Sequence, residues 1–190
     1  MPTILENTRV KLLPLTLNNY QHLIKIGKEP KLVQYSPTKV NTSKDLKAYV
    51  QTALVKQRNN TALPFIVFDK TVNTYAGTSR YMNMNHHNSV LEIGSTWIGR
   101  SFQGAGLNTN MKFLMLQYAF EKMNFEKVEF RIDERNIASR KAVEKIGGTL
   151  EGLLRKNVLL LDGFKRNTCC YGILKDEWQD IKQSVFAKFI

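Results

Sequence analysis

The segment Trp97-Ile98-Gly99-Arg100-Ser101-Phe102-Gln103-Gly104-Ala105-Gly106-Leu107-Asn108-Thr109 decides how this chain folds. Val90 to Ile98 reads as a strand, and the residues from Gly104 to Met123 follow helical spacing. A strand therefore ends, a short loop carries two glycines, and a long helix begins. Glycine lets the backbone approach a ligand with no Cβ in the way. A helix start offers unpaired N–H groups and the positive end of the helix dipole, a combination that suits phosphate. The same residues also make an ordinary strand-to-helix turn, and spacing alone leaves both readings open. Two other phosphate motifs fit badly. The Walker A pattern needs Lys then Ser or Thr after its second glycine, where Leu107-Asn108 stands. The dinucleotide fingerprint needs a third glycine, where Thr109 stands.

Upstream, Arg9 to Leu13 reads as a strand ended by Pro14, and Leu17 to Ile26 as a short helix closed by Gly27. Thr42 with Asp45 resembles a capping box, ahead of Leu46, Tyr49, Val50, Ala53 and Leu54 at helical spacing. Leu63–Phe68, Tyr75–Met82 and Val90–Ile98 are three strands joined by polar loops. In the long helix the apolar residues lie nearly all round, so it is largely buried. Lys127 to Ile132 alternates as a strand does. A helix follows, with Asn136 as N-cap, Ser139 on its apolar stripe and Gly147-Gly148 as its stop. Two late strands, Leu150–Leu161 and Arg166–Leu174, turn at Asp162-Gly163, and a last helix carries Trp178, Ile181 and Phe186. The central meander argues against a doubly wound parallel sheet. The expectation is an α/β fold of α+β type: one domain over residues 1–190, with a mixed sheet of about seven strands and helices on both faces.

The composition, with 43% hydrophobic and 23% charged residues in 190, is that of a soluble globular domain. The opening MPTILENTRVKLLPL has no long uncharged apolar run, so neither a leader nor a membrane span is expected. Cys169 and Cys170 are adjacent, alternate faces on a strand and are poorly placed for a disulfide, which fits a reduced, cytoplasmic protein. The surplus of 28 Lys+Arg over 16 Asp+Glu, a charge of +12, favours polyanionic partners, although the basic residues are scattered rather than clustered. His86-His87 has no Cys, Asp or Glu at ligand spacing, so no metal site is expected there.

The stretch from Leu91 to Gly152 resembles motifs A and B of the GNAT acetyltransferases, most closely the RimJ/RimL-like protein N-acetyltransferases. The resemblance rests on Glu92-Ile93-Gly94-Ser95-Thr96-Trp97-Ile98, Phe102 to Asn110, Asp133 to Arg140, and Ile146 to Arg155, in that order; Thr8 to Leu15 is similar to the first strand of this group. It implies a largely antiparallel GNAT sheet whose strands near Trp97 and Phe130 splay to admit acyl-CoA. The pyrophosphate would lie on backbone amides from Gln103 through Gly104, Ala105 and Gly106 to Leu107, with Asn108 and Thr109 completing the turn. The pantetheine would follow Trp97, Ile98 and Gly99, and Asn136 would hold its arm, a role compatible with capping.

Two departures from the superfamily pattern stand out. Ser101 occupies the place of a common Gln or Arg, with Arg100 one position early, and Val143 replaces a tyrosine acid. In the RimJ/RimL-like group a serine three residues after the asparagine takes that part, and Ser139 matches it. Glu92 is the general-base candidate; Glu151 and a water relay remain open. The resemblance implies acetyl-CoA, or another acyl-CoA, as donor, with no metal. The acceptor is a primary amine, a protein N-terminus favoured over a small molecule. A ribosomal or acidic protein partner suits the basic surface, no membrane is involved, and the chain is a monomer or homodimer. The competing class is a non-catalytic module of the same fold that binds CoA or RNA. The strand runs lack the interleaved aromatic and basic residues of an RNA platform.

Overall fold

The structure, a computed structural model, describes residues 2–189. Its strands are β1 (Leu5–Glu6), β2 (Val10–Pro14), β3 (Leu63–Asp69), β4 (Thr74–Asn85), β5 (Val90–Ile98), β6 (Lys127–Asp133), β7 (Thr149–Leu159) and β8 (Lys165–Leu174). The helices are α1 (Ile24–Gly27, entered through a 3-10 turn at Tyr20–Leu23), α2 (Ser43–Arg58), α3 (Leu107–Gln117), α4 (Ile137–Glu144) and α5 (Trp178–Ser184). The strands form one sheet in the order β1-β2-β3-β4-β5-β6-β8-β7. Among the described residues only the β5–β6 pair is parallel.

The predicted mixed, mostly antiparallel sheet is therefore present, with eight strands rather than about seven. The added one, β1, spans two residues, too few to leave an alternation in the sequence. Pro14 does not stop β2 but is its last paired residue, opposite Phe65. Helices cover both faces. On one, α2 packs Leu46 and Val50 against Leu15, Ile66 and Trp97. On the other, α3 packs Leu107, Met111 and Met115 against Tyr81, Ile93 and Phe130, with Trp178 and Phe186 beyond. Thr42 caps α2: the Asp45 N–H donates to Thr42 Oγ1 at 3.0 Å, and the Thr42 hydroxyl, rather than its N–H, donates to Asp45 Oδ2 at 2.7 Å.

The long helix departs from its predicted bounds at both ends. It starts at Leu107 rather than Gly104, because Gly104 (φ +77°) and Gly106 (φ +80°) are left-handed and cannot be helical. Beyond Gln117 it widens into a π-turn over Tyr118–Lys122, with the Met123 N–H donating to the Tyr118 carbonyl. The buried Tyr81 hydroxyl donates to the Met115 carbonyl at 2.6 Å, a side-chain intrusion into the helix ladder where the widening begins.

Candidate acyl-CoA site

Strands β5 and β6 pair over three rungs, Val90↔Lys127, Leu91↔Val128 and Glu92↔Glu129, and then part. Beyond Glu92, β5 runs to Ile98 paired with β4 and β6 runs to Asp133 paired with β8, no longer with each other, leaving a V-shaped opening. A β-bulge drives the parting. Trp97 faces Thr78 and Gly94 faces Arg80, so Ser95 and Thr96 together oppose Ser79 alone, and Ser95 adopts φ +48°. A cavity of about 440 Å³ fills the opening, with Thr96 and Trp97 on one wall, Phe130 and Ile132 on the other, and Asn136 and Ser139 on α4.

Glu92 stands on the last shared rung and is 6% exposed. Burial raises its carboxyl above the ordinary range. A hydrogen bond from Asn83 Nδ2 at 2.8 Å and the Arg131 guanidinium 3.9 Å away oppose that shift without cancelling it. Both Glu92 and Ser139 line the cavity. The Ser139 N–H donates to Asn136 Oδ1 at 3.2 Å, so Asn136 does cap α4 and thereby fixes the serine at the helix start. Among the described residues the Ser139 hydroxyl makes no hydrogen bond back to its helix, the commonest structural use of a helical serine. Glu151 lies on the edge strand β7, paired with Lys127 Nζ at 2.7 Å, and does not line the cavity.

The glycine turn joins the end of β5 to α3, whose Asn108 lines the cavity while Gly104 to Gly106 do not. Helix α3 has no side-chain cap and no acid in its first turn. Its first intrahelical bond runs from the Asn110 N–H to the Gly106 carbonyl, which leaves the amides of Leu107, Asn108 and Thr109 without helix partners. Asn110 Nδ2 also donates to the Gly106 carbonyl at 3.0 Å, and Asn7 Nδ2 holds Asn110 Oδ1 at 2.9 Å, so the turn is braced from the first strands. Gly104 to Gly106 are exposed, and a Cβ on Gly104 would meet no atom within 4 Å. An uncapped helix start beside open space fits a pyrophosphate.

Gln103 differs from its sequence-based role. Its N–H donates to the Arg100 carbonyl at 3.2 Å and its side chain to the Ile98 carbonyl at 2.9 Å, so the free amides begin at Gly104. Arg100 is occupied as well, its guanidinium donating to the Pro30 carbonyl at 2.7 Å. Trp97 turns its ring toward Tyr49 on the α2 face. Trp97 also lines the cavity, while the Ile98 carbonyl is taken by Gln103 and the Gly99 N–H donates to the Ala76 carbonyl at 2.9 Å.

One residue that sequence reasoning missed sits on the floor of the V. Lys112 on α3 lines the cavity, is 5% exposed, and has its ammonium 2.9 Å from Thr96 Oγ1 and 3.5 Å from Ser79 Oγ. Burial alone pushes it down to about 7. A lone lysine in a helix otherwise apolar nearly all round was the available signal. Cys169 and Cys170 are free thiols that burial pushes upward, and neither lines the cavity. His86 sits in an exposed loop against the Asn60 carbonyl. Among the described residues no group of three or more His, Cys, Asp or Glu is placed to hold a metal ion, and no helix is long and apolar enough to cross a membrane.

Comparison with known proteins agrees with this geometry. The family model described as "Acetyltransferase (GNAT) domain" matches residues 9–149. A Bacillus subtilis protein named "Putative ribosomal N-acetyltransferase YdaF" is 33% identical over 100 residues, covering 53% of this chain and 54% of that relative, so the match spans about half its length. The crystal structure of a GCN5-related N-acetyltransferase from Brucella melitensis superposes with a TM-score of 0.89 at 26% identity, covering 100% of this chain and 86% of the other. RimJ of Mycobacterium smegmatis, solved with CoA-disulfide, gives a TM-score of 0.85 over 99% of this chain and 96% of its own; at 20% identity that likeness is one of fold alone.

Proposed function

The chain belongs to the GNAT acetyltransferase family, and from that premise we propose that it transfers an acetyl group from acetyl-CoA to a primary amine, acting as one domain over its whole length. The observation that carries this reading is the parting of β5 and β6 immediately beyond the buried Glu92, with an uncapped helix start at the far end of the same opening. Acetyl-CoA supplies the activated acyl carbon. The amides from Gly104 to Thr109 hold its phosphates, and the end of β5 with Gly99 after it orders the pantetheine arm. Asn136, while capping α4, keeps its side-chain amide nitrogen toward the same arm.

Glu92 takes the proton of the incoming amine, directly or through a water. A carboxylate raised by burial is a better base near neutral pH than an ordinary glutamate. Ser139, which also lines the cavity, donates to the departing sulfur. A protein α-amino group is the favoured acceptor: the YdaF relative carries a ribosomal name, and a chain of net charge +12 suits an acidic or ribosomal setting. The experiment pairs calorimetry against acetyl-CoA with mass spectrometry of a panel of peptides and small amines. A 42-Da gain on amines is expected. Acetyl-CoA binding without transfer to any amine leaves a CoA-binding module as the better description.

A further inference from the structure

We propose that Lys112 supplies the hydrogen bond to the acyl carbonyl oxygen as charge develops there, a role that rests on the acetyl-transfer reading. The geometry singles it out. Strand β5 forms one wall of the V and β6 the other, and the Lys112 ammonium touches both: Thr96 Oγ1 of β5 at 2.9 Å and the Phe130 ring of β6, centroid at 5.7 Å. Asn108, one helical turn earlier on the same face of α3, also lines the cavity. The helix that offers its N-terminus to the phosphates therefore carries Lys112 along the same opening, whose lining also includes Ser139.

The ammonium is under-satisfied where it stands. It has three donors, and its partners are the Thr96 hydroxyl and, at 3.5 Å, the Ser79 hydroxyl. Among the described residues no carboxylate lies within ion-pair distance. A buried cation without a counter-charge is costly, and the cost is relieved by negative charge arising beside it. Acyl transfer creates such charge transiently. The amine lone pair forms the N–C bond, and the carbonyl π pair moves onto oxygen. That pair then re-forms the carbonyl as the C–S bond breaks, sulfur keeping the bonding electrons and taking a proton while Glu92 accepts one from nitrogen. A preorganised donor at that oxygen is stronger in the transition state than in the ground state. A structural role for Lys112 is less economical, because Ser79 Oγ and Thr96 Oγ1 already bond each other at 2.7 Å.

The test uses the whole protein and two CoA probes, CoA itself and S-carboxymethyl-CoA, whose carboxylate places a fixed negative charge near the acyl position. Calorimetry on the wild type is expected to favour the carboxymethyl compound, and Lys112→Met to lose at least about ten-fold of that preference, the scale of one charge-assisted hydrogen bond, while binding CoA within about three-fold of wild type. Turnover of acetyl-CoA by Lys112→Met should fall by roughly 10²–10³ in kcat with little change in KM. Equal preference for the two probes in wild type and variant overturns the role of Lys112 and leaves the acetyl-CoA reading standing. Failure of the wild type to bind either probe overturns both.

Discussion

Replacing Lys112 by methionine should make the protein more stable near neutral pH, and the gain should shrink as the pH rises. The side chain keeps its length, loses its charge, and leaves Ser79 and Thr96 bonded to each other. In the unfolded chain a lysine holds its proton up to its ordinary 10.5, whereas burial brings Lys112 down to about 7 in the native state. Between those values the unfolded chain binds one more proton than the folded one, so wild-type stability rises with pH across that window and falls as pH drops toward 7. Each pH unit is worth about 1.4 kcal/mol once the native lysine is mostly neutral. From pH 7, where it is half-titrated, to pH 9 the wild type should therefore gain roughly 2 kcal/mol on Lys112→Met. Urea unfolding of the two proteins at half-unit steps from pH 6 to 9 measures this, with other titrating groups cancelling in the difference. Parallel stability profiles would show that Lys112 is charged and solvated, and would refute an ammonium buried without a counter-charge.

Glu92→Gln should lower kcat by roughly 10²–10⁴ with acetyl-CoA affinity within three-fold, and should abolish the rise of the wild-type rate with pH as the carboxyl ionises. Because burial raises the native carboxyl, ionising it costs stability as pH climbs, so Glu92→Gln should also flatten that loss in denaturant titrations. Ser139→Ala should reduce turnover while leaving thermal stability within about 0.5 kcal/mol of wild type, since its hydroxyl supports no bond in the helix and the Asn136 cap uses the backbone; unchanged turnover removes the serine from the mechanism. Gly106→Val places a β-branched residue at φ +80°, a strain of about 1–2 kcal/mol, and should weaken acetyl-CoA binding more than ten-fold with unchanged circular dichroism; unaltered binding would mean that the turn does not hold the phosphates.

The strand–glycine loop–helix unit was legible because its signals are local. Strand β5 ends at Ile98 as its composition predicts, and Asn136 caps α4 as its side chain predicts. What escaped reading depends on contacts distant in sequence. The start of α3 moved three residues because φ at Gly104 and Gly106 is set by a turn braced from Asn7 through Asn110. The π-turn follows a hydroxyl from Tyr81, 34 residues before its acceptor. The bulge at Ser95–Thr96 is invisible to alternation, yet it parts the strands. Lys112 was passed over because a lysine in a helix is usually solvent-facing; only the sheet brings Thr96, Ser79 and Phe130 around it.

Glu92 and Lys112 are pushed in opposite directions by one cause. Burial raises the acid and lowers the amine, and neither group figures among the electrostatic influences on the other. They are therefore two separately desolvated groups in one opening rather than an ion pair. The distinction bears on chemistry. An ion pair between them would hold the carboxylate at low affinity for protons and the ammonium fully charged, a poor base and an already satisfied donor. Kept apart, with Glu92 on the last shared rung of β5 and β6 and Lys112 on the helix below, each retains the property its position can use. In the proposed reaction the carboxylate gains affinity for the amine proton, and the ammonium, lacking a counter-charge, interacts most strongly with the oxygen that becomes negative. The β-bulge serves both groups, since the opening beside it is lined by Glu92 and Lys112 alike and it presents Thr96 to hold the lysine in place.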